Sequence, residues 1–316
     1  MRPDNFTAAK IYFYFFYFLS FFGEVRRRKK IFSLVPKKDT FSLFSIPLEK
    51  GYLKLSLPDA VNVKNCVDHS KKIIQKTDFK LMAQKAKKPF LINLPFDLSK
   101  SGNEHIKEFA EHPLILKLIY DYLGIFPTVS YAAIWYSPND TFMGRIQMYD
   151  IEGDEYRAVK IFLPLDIIDE ATGALTFIPA DETKISFQNL LKKQKIKRIQ
   201  NQKVEDAVVF SEANPKSEIK LTGKPGDVIF LDTCSCWHYG SRPLETGNKP
   251  RILLHLHYVS PFNVTFPISP KATKITHDTN KVNTPEKELI RNALFGLSHL
   301  DMRYIYDIHN QGKSNY

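Results

Sequence analysis

The sequence is short of cysteine: three in 316 residues, Cys66, Cys234 and Cys236. An odd, low count argues against a disulfide framework and for a reducing, cytoplasmic setting. Cys234 and Cys236 precede His238 like half of a zinc site, but no CxxC and no second Cys/His cluster completes it. A long apolar run is missing too. Residues 11–22 (IYFYFFYFLSFF) fall short of the roughly 20 apolar residues that a spanning helix needs. No small-residue cleavage site comes after them, which speaks against a signal peptide. Beside the basic run at 26–30, residues 11–30 have the composition of a peripheral membrane contact. The simpler expectation is a segment packed on the core, or a start codon set too early. Internal repeats are absent. Positive charge is plentiful, with a net charge of +11, but it is dispersed. Its dense clusters, 26–30 and 192–198, lack the interleaved aromatics of a single-strand groove. The expectation is a solvated basic surface, a small-molecule partner and no nucleic acid.

What is present is apolar and well patterned. Hydrophobic residues make up 43% of the chain and aromatics 13%, enough for a sizeable packed core. Residues 51–57 alternate like a strand. Pro58-Asp59 opens a predicted helix running to Lys76, and 103–111 and 113–122 read as two more, closed by Gly124. Strands are expected at 128–136, 143–149, 158–165, 174–178, 227–232 and 252–259, with a lysine-rich helical insertion at 182–206 and an amphipathic helix at 285–308. Residues 1–49 stand apart as an aromatic and basic segment. Residues 50–316 read as a single α+β domain with helices around a β core.

The chemistry concentrates in two segments. Residues 232–251 (DTCSCWHYGSRPLETGNKPR) place His238 at a strand end and Arg251 at the start of another strand. Residues 147–152 (QMYDIE) put Asp150 and Glu152 on one face of an extended chain, because residues two apart share a face. Two carboxylates and a histidine can ligate a metal, and an arginine fork suits a carboxylate ligand. Taken singly, each has a plainer explanation: His-Tyr-Gly as a turn, Arg251 as a salt-bridge arginine, DIEGDE as a solvated loop. His255 and His257 share the strand parity of Arg251, and Cys236 that of His238; for each, an inward core side chain is the plainer expectation.

In order and spacing, these segments resemble the phytanoyl-CoA dioxygenase family of Fe(II)- and 2-oxoglutarate-dependent oxygenases. Residues 147–179 are similar to the family's stretch that opens with Q-x-x-H-x-D, through Lys160-Ile161-Phe162, Asp166, Gly173 and Phe177-Ile178-Pro179. GDVIFLDTCSCWHYGSR resembles its second motif. The resemblance covers residues 51–261 and implies a double-stranded β-helix (jelly roll) with flanking helices. It implies His238 as the distal metal ligand, Arg251 as the 2-oxoglutarate anchor and Gln147 beside the co-substrate. Where the family has H-x-D, this chain has Asp150-Ile151-Glu152. Hard carboxylates shift preference from Fe(II) toward Mn²⁺ or Mg²⁺, and the extra negative charge disfavours a dianionic co-substrate. Two readings result: an oxygenase with an altered triad, hydroxylating a small or lipid-like substrate with 182–206 as its lid, or a catalytically inactive descendant acting as a binding protein. Basic-surface binding to nucleic acid or membrane is the weaker third.

Overall fold

The computed structural model describes residues 44–259 except 58–60, 87–88, 97, 99–100, 125–126, 140–146, 153–156, 197–202, 248 and isolated side chains, together with Phe15 and Phe18. The expectations for most of 11–30, for residues 143–146 of the strand at 143–149 and for the helix at 285–308 fall outside these residues; the rest of that expected strand, 147–149, forms no strand but an isolated bridge of Tyr149 to Val204.

Among the described residues, nine strands form two antiparallel sheets. The larger has the order β1 (Tyr52–Ser56), β7 (Asp227–Leu231), β4 (Ala158–Pro164), β9 (Arg251–Val259), β3 (Thr128–Ser137), β2 (Ile92–Pro95). The smaller is β6 (Ile219–Leu221), β5 (Leu175–Ile178), β8 (Trp237–Tyr239). Side-chain alternation sorts each strand between two cores. On β4, Val159, Ile161 and Leu163 face a core shared with helices α1 (Val63–Gln75), α3 (Glu104–Ala110) and α4 (Pro113–Leu123). Its other face, with Phe162, meets Leu175, Phe177 and Leu221 of the smaller sheet. The outer face of that smaller sheet, through Ile178, Trp237 and Tyr239, packs on Leu190 of α5 (Ala180–Lys192) and Val209 of α6 (Asp206–Val209). The order is helix, sheet, sheet, helix, and the gap between the sheets is where polar inward residues can gather.

Local signals explain the helices. α1 buries Val63, Cys66, Val67 and Ser70, a stripe at helical spacing. It starts later than Pro58-Asp59 predicts, because Val61 and Asn62 turn the chain at φ 60° and 57°. Pro113 opens α4, His112 accepts the Leu114 N–H, and Gly124 at φ 75° closes it. Strands β3, β4, β5, β7 and β9 lie within a residue of expectation. β2, β6, β8 and the helix α2 (Phe79–Lys85) are not apparent in the sequence pattern. The lysine-rich insertion supplies α5 to the outer face, where Trp237 Nε1 donates to Ser186 Oγ at 3.2 Å.

All three cysteines are buried, and none is in a disulfide. Among the described residues no helix is long and apolar enough to cross a membrane.

Candidate ligand pocket between the sheets

The pocket is built on one bridge. Asp150 N–H donates to the His238 carbonyl at 2.8 Å and His238 N–H returns to the Asp150 carbonyl at 3.0 Å. This exchange makes them an antiparallel hydrogen-bonded pair, so their side chains stand together on the inner face. Glu152 lies two residues on, its N–H donating to the Thr233 carbonyl at 3.1 Å. The structure thus brings Asp150, Glu152 and His238 to one pocket.

Their partners were not expected. Lys160, on the inner face of β4, places its ammonium on Glu152 Oε1. The other oxygen, Oε2, accepts from Thr233 Oγ1 at 2.9 Å. Lys203, from beyond α5, places its ammonium on Asp150 Oδ2. Asp150 Oδ1 is buried with no hydrogen-bond partner. Burial pushes the Glu152 carboxyl up, but Lys160, His257 and His238 outweigh it and hold the group well below the usual carboxylate range. Burial lowers His238, with Lys160 acting in the same direction against Glu152 and Asp150, so the imidazole is neutral. Its Nδ1 lies 3.1 Å from the Cys236 carbonyl. A carbonyl only accepts, which makes Nδ1 the N–H and leaves Nε2 the lone pair.

Arg251 shares the pocket in a different state. It is 3% exposed, on the inner face of β9 opposite Ser137 of β3. Its guanidinium donates to Ser137 Oγ at 3.1 Å and the Gly173 carbonyl at 3.3 Å, and its Nε has no partner. Among the described residues no carboxylate pairs with it. Burial pushes its pKa down to about 10, which leaves it charged at neutral pH. Gly173 is fixed by space: at φ +81°, a Cβ there would lie 2.3 Å from Ser241 Oγ.

Gln147 also lines the pocket, its Nε2 donating to the Ser241 carbonyl. Arg242 grips the same segment. It donates to the Gln147 carbonyl, binds both oxygens of Asp206 at 2.6 and 2.8 Å and stacks 3.4 Å over Tyr239. The cavity measures about 160 Å³, with Trp135, Phe162 and Leu175 as apolar wall. His255 and His257 share the Arg251 face of β9, as parity predicts; His255 stacks on Trp135 at 4.0 Å.

Among the described residues, no group of three His, Cys, Asp or Glu side chains is arranged to hold a metal ion. The donor chemistry is unfavourable as well. One oxygen of each carboxylate carries an ammonium, and a divalent ion would have to sit against two positive charges. As arranged, the residues do not fit iron, manganese or magnesium.

Of the residues that matter, the sequence reading missed Lys160 as a pocket residue, and Lys203, Thr233 and Ser137 altogether. Lys160 had a signal: a lone charge inside the apolar strand AVKIFLP must find a buried partner. Lys203 had none, being one lysine in a lysine-rich stretch.

No protein-family model matches the chain, and no curated protein sequence matches it. Solved structures do. HygX from Streptomyces hygroscopicus, with nickel and 2-oxoglutarate bound, is 14% identical over 68% of this chain and 84% of its own, at a TM-score of 0.48. EctD from S. alaskensis, with 2-oxoglutarate and 5-hydroxyectoine, is 17% identical over 68% and 74%, at 0.46. SnoN, described as a non-heme alpha ketoglutarate dependent epimerase from nogalamycin biosynthesis, is 13% identical over 67% and 77%, at 0.41. At such identities, and with TM-scores below 0.5, neither ligands nor residue roles transfer. They have to come from the side chains described above.

Proposed function

We propose that the chain is a binding protein for a small carboxylate, with a 2-oxo acid such as 2-oxoglutarate as the reference ligand, and that it binds without a metal ion. The observation that carries this reading is Arg251. An ionised group out of water is expensive unless paired, and a buried cation lacking an anion is a site that a ligand anion completes. A guanidinium fork matches a carboxylate in two parallel hydrogen bonds. The small cavity favours a compact acid over a lipid-like ligand.

The frame fits a double-stranded β-helix. From β4 onward the chain visits the larger sheet, the smaller sheet twice, then the larger, the smaller and the larger again. Such alternation between facing antiparallel sheets is how a jelly roll is wound. The non-catalytic reading is preferred to the oxygenase because Asp150 and Glu152 are already engaged by lysines. One observation favours the rival: Asp150 Oδ1 is buried and free to accept.

Thermal melting with 2-oxoglutarate, succinate or phosphate, in the presence of a chelator, tests the proposal. A rise with the carboxylates that is absent in Arg251→Met supports it. No rise with any carboxylate contradicts it. The rival would show itself in an anaerobic Fe(II) and 2-oxoglutarate titration, as a visible charge-transfer band that Arg251→Met abolishes.

A further inference from the structure

We infer that the preferred ligand of this pocket is a hydroxy acid, a compact monocarboxylate whose carboxylate pairs with Arg251 and whose hydroxyl donates to Asp150 Oδ1. The inference rests on the carboxylate reading of Arg251 and says what the other end of the ligand carries. Asp150 and Arg251 both line the cavity, both are buried, and each has one side-chain atom without a partner. The two atoms are complementary: Arg251 Nε is a donor and Asp150 Oδ1 an acceptor. A buried polar atom left unpaired costs free energy that a matching ligand group recovers. One molecule with a carboxylate and a separate donor satisfies both.

The chemistry around Asp150 selects that donor. Lys203 is already on Oδ2, so Oδ1 is the oxygen left to accept. Asp150 is bridged to His238, whose Nε2 holds a lone pair because Nδ1 is committed to the Cys236 carbonyl. Acceptors therefore gather at this end of the pocket. A 2-oxo oxygen only accepts and would meet lone pairs there, whereas a hydroxyl brings a hydrogen. Charge separates a hydroxyl from an ammonium. Among the described residues that line the cavity, Asp150 and Glu152 are negative and Lys160, Lys203 and Arg251 positive, a surplus of one positive charge. A single carboxylate cancels it, and a neutral hydroxyl keeps the balance. The ammonium of an amino acid would restore the surplus, and the second carboxylate of 2-oxoglutarate would overshoot it. Unbalanced charge in a desolvated site is costly. The cavity of about 160 Å³ suits a short acid.

Calorimetric titration of the full chain with matched acids, in the presence of a chelator, tests the inference. Glycolate, 3-hydroxypropionate and 4-hydroxybutyrate are compared with acetate, propionate and butyrate, alongside 4-aminobutyrate and 2-oxoglutarate. At least one hydroxy acid should bind about tenfold or more tighter than its deoxy counterpart, the gain of a hydrogen bond to a charged group. It should also bind tighter than 4-aminobutyrate and 2-oxoglutarate. Asp150→Ala should erase the preference for the hydroxyl, and Arg251→Met should weaken hydroxy and deoxy acids alike. Hydroxy acids that bind no tighter than their counterparts would overturn the inference. So would a preference that survives in folded Asp150→Ala, or tightest binding by 4-aminobutyrate. If Asp150→Ala does not fold, the matched series in the natural protein decides by itself. Carboxylates that bind through Arg251 with no gain from a hydroxyl would sink this inference and leave the Arg251 reading standing. Binding by no carboxylate at all would sink both.

Discussion

Two parts of one pocket have opposite electrostatics. Around Asp150 and Glu152, each anion has its own lysine, and Thr233 satisfies a further oxygen. At Arg251 a cation is buried and, among the described residues, has only neutral partners, Ser137 and Gly173. In the first region each carboxylate is paired, with Asp150 Oδ1 left over; in the second no anion is present among the described residues. Stability and binding are thereby separated. Substitutions in the carboxylate region should show in folding, and substitutions at Arg251 should show in ligand affinity.

The largest expected effect is in the self-paired region. Lys160→Met strands Glu152 among buried groups and should destabilise the protein by about 3 kcal/mol, the lower end for a broken buried pair because Glu152 is partly exposed. Lys160→Met/Glu152→Met should recover most of that loss, since removing both partners avoids the stranded charge. Urea titration of the three proteins measures both.

Next is Arg251→Met. It should weaken 2-oxoglutarate binding by at least about thirtyfold, the usual consequence of deleting one member of a buried charge pair. Its unfolding midpoint without ligand should be unchanged or higher, because no ion pair is lost. Calorimetry and denaturation together check this. A large loss of stability without ligand would mean that Arg251 is structural, and the contrast would fail.

Lys203→Met should cost less than Lys160→Met, about 1.5 kcal/mol, because its side chain is 22% exposed against 8% for Lys160. Denaturant midpoints measure the order of the two.

The smallest effect is on acid stability. Glu152 has a folded-state pKa held below its unfolded value by Lys160, His257 and His238 despite burial. Its contribution is therefore fully present above an unfolded pKa of about 4.3 and is lost as pH falls below that value. Stability of Lys160→Met/Glu152→Met should fall less than that of the natural protein between about pH 5 and 3.

Much of this architecture was legible in the sequence. Period-two alternation puts Arg251, His255 and His257 on one face of β9. Gln147, Asp150, Glu152 and His238, singled out in the sequence, line one pocket. The short strands β2, β6 and β8 escaped, because three or four residues are too few to show a period. The ion pairs escaped for another reason. Lys203 lies 53 positions from Asp150, and no local pattern encodes a contact made by the return of an insertion. Asp150-Ile151-Glu152 looked like a set of metal ligands because the sequence shows which anions are present and hides which cations they have already found.

The measurement that bears most directly on metal-free carboxylate binding is calorimetric titration of 2-oxoglutarate into the natural protein, once with chelator and once anaerobically with Fe(II). The expected result is the same affinity in both, lost in Arg251→Met. Binding that appears only when Fe(II) is present would contradict it, and would show that the lysines yield their carboxylates to a metal.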